Sequence, residues 1–107
     1  MTEAQDAAML EVEAALVDDP DDDVQVTAIG MIVKGSVFAY RSDRGDLVID
    51  LPTDRADELV ERAVAARHEG ELTPKGAWVA VSDPEDWVEM ATEAHQFVGE
   101  PAVGKGS

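Results

Sequence analysis

The sequence predicts an α+β fold: a three-stranded antiparallel meander plus a fourth strand, with an N-terminal helix and two amphipathic helices packed on the sheet. The expected order is α-β-β-β-α-β-α. Three observations carry this reading. Residues 24–51 hold three apolar runs broken by Lys34-Gly35-Ser36 and by Ser42-Asp43-Arg44-Gly45, the punctuation of strands and hairpins. Ala56, Leu59, Val60, Ala63 and Val64 then recur at i, i+3, i+4, i+7 and i+8, the stripe of a core-facing helix. A short apolar run, residues 77–81, is followed by Ser82-Asp83-Pro84-Glu85, a helix start with a capping residue and proline at the first position.

Taken in order, residues 3–17 read as a helix, with Met9, Leu10, Val12, Leu16 and Val17 near helical spacing and Thr2 as its cap. The run Asp18-Asp19-Pro20-Asp21-Asp22-Asp23 stops it, since acids at a helix C-terminus oppose the dipole. The run lacks the alternating ligands, central glycine and distal glutamate of an EF-hand, so a solvated linker over residues 18–23 is expected and no metal. One strand is expected over residues 24–33, with Gly30 marking a bulge or a close approach of another element. The second covers Val37 to Tyr40.

The third strand, Leu47 to Leu51, places Leu47, Ile49 and Leu51 on the dry face and leaves Asp46, Val48 and Asp50 toward solvent. Pro52 ends it, and Thr53 is the expected N-cap of the next helix. That helix should run to Gly70, with Arg67 and His68 in its last turn, where cations suit the dipole. The final helix carries Trp87, Ala91, Ala94 and Val98 on one face and stops at Gly99 and Pro101; residues 100–107 form a frayed tail. Ile32, Phe38, Ile49, Leu59, Val64, Trp78 and Trp87 are the expected core. With 107 residues the chain is one domain, its folded core spanning about residues 24–99.

Asp and Glu number 24 against 8 Lys and Arg, a formal charge of −16. Such a surface repels nucleic-acid phosphates and anionic membranes, because binding there depends on cations that displace counterions. It is either a solubility adaptation or an acidic face for a basic partner. No cysteine is present, which excludes disulfides, zinc ribbons and thiol nucleophiles and fits a reducing cytoplasm. The first ten residues hold no Lys or Arg and no long apolar segment, so no secretory leader is expected. The greasiest stretch falls far short of the ~20 residues of a membrane helix.

The inventory of reactive groups is thin. His68 and His95 stand in no metal-binding spacing, no phosphate loop precedes a helix, and no serine sits in a nucleophile elbow. Trp78 and Trp87 are not interleaved with cations as base-stacking platforms are. The one cluster of cations surrounds the first hairpins: Lys34, Arg41 and Arg44 are the candidate interaction surface.

Four stretches are similar to one family. The segments GMIVKGSVFAY, DLVIDLPTDRADELVERA, KGAWVAV and DWVEMATEAHQFVG resemble the TfoX N-terminal domain, within the group that includes YjbR-like proteins. The likeness spans roughly residues 26–99 and rests mostly on core positions. It implies the fold above and a link to regulation of bacterial competence; YjbR-like relatives are often labelled DNA-binding. It implies no catalytic residues and no cofactor. The expected function is a non-catalytic, cytoplasmic interaction or regulatory module with a protein partner or a second copy of itself. The alternatives are a DNA-binding regulator, and a small-molecule binder or enzyme using a pocket between sheet and helix.

Overall fold

The computed structural model describes residues 3–17, 24–27, 30–33, 35–42, 44–70 and 72–99. The acidic run at 18–23, the tail at 100–107, Thr2 and Lys34 lie outside them. The fold is α+β. Helix α1 (Glu3–Val17) is followed by β1 (Val24–Val26), β2 (Met31–Val33), β3 (Ser36–Arg41) and β4 (Leu47–Leu51). Then come α2 (Thr53–Glu61), β5 (Ala66–Arg67), β6 (Ala77–Val81), a 3-10 turn (Pro84–Asp86) and α3 (Trp87–Gly99). The six strands form one antiparallel sheet in the order β1-β2-β3-β4-β6-β5.

One face of the sheet carries the main core. Met31, Val33, Ala39, Leu47, Ile49, Leu51, Val79 and Val81 meet Val12 and Leu16 of α1, Leu59 of α2, and Trp87, Ala91, Ala94 and Val98 of α3. Phe38 joins them through an irregularity. Met31 pairs with Ala39 and Ile32 with Val37, so Phe38 is the unpaired residue of a bulge. A bulged residue escapes the strict alternation of a strand, and Phe38 and Ala39 are both fully buried. Ile32 and Val64 are half-buried and the other expected core residues are buried.

Four expectations are corrected. The strand over residues 24–33 is a hairpin, β1 with β2, because Thr27 closes a turn: its N–H and hydroxyl both donate to the Gly30 carbonyl, at 2.9 and 3.0 Å. Gly30 does mark a close approach. A Cβ there would lie 2.6 Å from the Ala39 carbonyl oxygen and 2.7 Å from the Tyr40 Cβ. Secondly, Pro52 rather than Thr53 caps α2, with no side-chain capping bond; Thr53 is the first helical residue.

Thirdly, α2 ends at Glu61, nine residues before Gly70. Ala63 takes φ = 61°, its N–H donates to the Val60 carbonyl, and the Val64 N–H reaches back to Leu59 at 2.9 Å. That pair of bonds is a Schellman ending, with alanine where glycine is usual. Arg67 and His68 therefore belong to β5 and its exit, not to a helix. Lastly, Val48 and Asp50 do not face solvent: both are buried, Asp50 to 1 % exposure. The segment after α2 folds over the second face of the sheet and covers β4 there, so β4 is dry on both sides.

Candidate functional site

The groups with chemical potential fall on two sides of the sheet. On the second face, Tyr40 sits between Trp78 and His68 in edge-to-face contacts of 5.1 and 5.9 Å. The indole Nε1 of Trp78 donates to the Leu72 carbonyl at 2.8 Å, fastening the loop that covers it. Burial raises the Tyr40 hydroxyl above its ordinary pKa. Beneath the same loop, Asp50 accepts from the backbone N–H groups of Lys75 and Gly76 at 2.7 and 2.9 Å. Desolvation pushes its carboxyl up, and the two N–H donors and the Lys75 charge offset only part of that. With both oxygens engaged, Asp50 is a structural clamp.

On the helical face, the buried His95 ring meets Phe38 at 5.4 Å, edge on. The two histidines thus serve different faces of the sheet. Arg55 bridges α2 and α3: its Nε donates to Glu93 at 2.7 Å and its Nη1 to Glu58 at 3.0 Å. Those bonds to Glu93 and then Glu58 raise its pKa, so it stays a fixed cation. Among the described residues no group of three or more His, Asp or Glu side chains could hold a metal ion. Among them also, no helix is long and apolar enough to cross a membrane.

The three cations expected as an interaction surface are placed differently. Lys34 lies outside the described residues. Arg41, at the end of β3, turns inward with its side chain 18 % exposed. Its Nε donates to the Gly45 carbonyl at 2.8 Å, its guanidinium lies 5.0 Å from the Trp87 ring centre, and Asp6 of α1 is 3.8 Å away. Arg41 therefore braces the β3–β4 hairpin against both helices. Arg44 is exposed at the hairpin tip, where the Ser42 hydroxyl accepts the N–H groups of Arg44 and Asp46 at 3.2 and 3.1 Å.

Two concavities flank these residues. A cavity of about 170 Å³ lies between α1 and the sheet, bounded by Met9, Glu13, Val26, Met31 and Arg41 among others. A groove of about 440 Å³ lies on the other side, between the 42–46 loop and residues 66–69. Arg41 borders the first and Arg44 the second, so these two cations face different concavities. Arg67 and His68 at the groove were hidden from sequence reasoning by their helical spacing; the only local signal, the left-handed Ala63, has no compositional trace. No protein-family profile, curated protein or solved structure matches the chain.

Proposed function

We propose that this chain is a non-catalytic interaction module, of the TfoX N-terminal type its core residues resemble, that works in the cytoplasm through contact with a basic protein partner. The outer face of α1 carries the reading. Ala8, Val12 and Leu16 fill the inner face, and on the outer face Ala7, Leu10 and Ala14 are exposed at i, i+3 and i+7 beside the acids Glu3 and Glu11, with Leu10 at 66 % exposure. A surface helix normally turns polar residues outward, so a large apolar side chain set among acids there suits a contact face. The charges on this helix are Glu3, Asp6, Glu11 and Glu13, with no cation. A cationic helix or loop complements that face, whereas a second copy would set acids against acids.

The commitment of the reactive groups supports a non-catalytic role: Asp50 clamps a turn, Arg41 braces the hairpin and Arg55 ties two helices. The inward turn of Arg41 also weighs against a DNA-binding hairpin, since it removes one of the few cations from the surface.

A photo-crosslinking residue at position 10, expressed in native cells, tests this. One dominant heterologous adduct with a basic protein is expected, absent when the crosslinker replaces the exposed Gln96 on α3. An adduct of the chain with itself, or equal labelling from both positions, would refute the basic-partner reading.

A further inference from the structure

The sheet has two edges, and they are built differently. At one, β5 carries Arg67, which is paired with Asp57 of α2. At the other, β1 presents Val24, Gln25 and Val26, with no cation and no proline. Natural edge strands are usually blunted by lysine, proline, a bulge, a covering element or shortness. Of those devices β1 shows only shortness among the described residues. The hairpin sets the direction of its backbone groups. The Thr27 N–H donates to the Gly30 carbonyl, so in the alternation of an antiparallel ladder Gln25 bonds to Ile32. Val24 and Val26, opposite Val33 and Met31, therefore turn their N–H and C=O groups outward.

The side chains beside this edge are also open. Val24 and Val26 share a face with their partners Val33 and Met31, which belong to the core under the helices. Val26 is nonetheless 46 % exposed, and with Met9 and Glu13 of α1 it borders the cavity of about 170 Å³. That space is smaller than small-molecule sites of roughly 300–1,000 Å³ and suits one side chain. Glu13 is half-buried there and stands in no ion pair among the described residues. Arg41 borders the same cavity, but Asp6 stands 3.8 Å from it and its guanidinium lies over the Trp87 ring. Glu13 is thus the carboxylate at this cavity that an incoming cation would meet.

We propose that an extended basic segment of the partner adds to the sheet at β1. Its backbone bonds to the outward groups of Val24 and Val26, and a Lys or Arg stem lies on Val26 and Met9 with its charge at Glu13. This rests on the basic-partner reading of α1 and gives it a binding mode: Leu10 and Glu13 are neighbours at i and i+3, so one partner can touch both. A second copy of this chain offers the same edge only Val24, Gln25 and Val26, with no cation for Glu13.

The test uses the full chain and a capped peptide of alternating Lys and Val, roughly seven residues long, followed by amide chemical shifts and hydrogen exchange at physiological salt. Saturable shifts are expected at Met9, Glu13 and residues 24–27. The Val24 and Val26 amides should exchange at least about tenfold more slowly with the peptide bound. Methylating the peptide's backbone nitrogens at alternate residues separates strand addition from charge attraction, since every charge is kept. The set facing β1 should weaken binding by at least about tenfold, and the other set should leave it within about twofold. Glu13→Gln should weaken the peptide several-fold, and Glu89→Gln on α3 should not. Equal effects of the two methylated sets, shifts spread over the acidic surface, or unprotected Val24 and Val26 would overturn the proposal. Protection that grows with protein concentration alone would overturn it too, as the mark of self-pairing. A basic adduct at position 10 with no peptide effect at β1 would remove strand addition and leave the α1 reading standing.

Discussion

Asp50 and Gly76 fit together as acceptor and donor across 26 positions of sequence: the Asp50 carboxylate receives the Gly76 N–H at 2.9 Å. The fit is tight on the other side as well, because a Cβ on Gly76 would strike the Leu51 carbonyl and the Pro52 Cα. Asp50→Ala leaves two covered N–H groups without an acceptor and should destabilise by about 1–3 kcal/mol for each that water cannot reach. Asp50→Asn keeps one acceptor and should cost less. Denaturant melts of both variants check the order, and Gly76→Ala should be destabilising in the same assay.

The same carboxylate sets a pH dependence. Its native pKa is raised, chiefly by burial, so the folded state holds that proton more tightly than the unfolded chain does. Its contribution is fully present below the unfolded value of about 3.9 and is lost as pH rises through the higher folded value. Ionised Asp50 is thus tolerated at neutral pH rather than favoured. Stability should increase as pH falls through the raised folded value toward the unfolded one, and Asp50→Asn should flatten part of that rise. A wild-type slope of the opposite sign would show that the turn's N–H groups outweigh desolvation.

Ala63 offers a stabilising change. Left-handed backbone costs an L-residue about 1–2 kcal/mol, whereas glycine adopts it freely. Glycine also loses more entropy on folding, by about 0.4–1 kcal/mol. The balance for Ala63→Gly is a gain of up to about 1.5 kcal/mol, read as a higher denaturation midpoint with an unchanged m-value.

Charge repulsion should respond to salt. With a formal −16 and five described ion pairs, most of the described acids are in no ion pair. Screening shortens to ~8 Å at physiological ionic strength and further above it. The Tm should climb between low salt and about 0.5 M NaCl; a flat curve would mean that repulsion is not limiting.

How much was legible depended on whether the deciding contact was local. Leu47, Ile49 and Leu51 announced β4 by their period of two, and Asp83-Pro84-Glu85 announced a helix start that the Asp83 side chain does cap, at 3.0 Å from the Glu85 N–H. The end of α2 was illegible because Ala63, Val64 and Ala65 continue the helical pattern and alanine is the best helix former. Asp50 read as solvent-facing because its partners, Lys75 and Gly76, lie far along the chain and polarity alone cannot reveal them. The groove was invisible for both reasons: one wall follows an unreadable left-handed residue, and the other is a loop whose cations were grouped by sequence nearness alone.

The packing of α1 against α3 has a consequence for how the chain reaches this state. Val12 and Leu16 lie in one cluster with Trp87, Ala94 and Val98, more than seventy positions downstream. The meander from β1 to β4 can zip up through neighbouring hairpins, but the part of its dry face over β3 and β4 that α3 covers stays bare until α3 exists. During synthesis that face waits exposed while nearly fifty further residues emerge, and closing so long a loop is slow compared with hairpin formation. The surplus of carboxylates then acts on the unfinished chain: like-charged nascent molecules repel one another in the interval when their apolar sheet faces are bare.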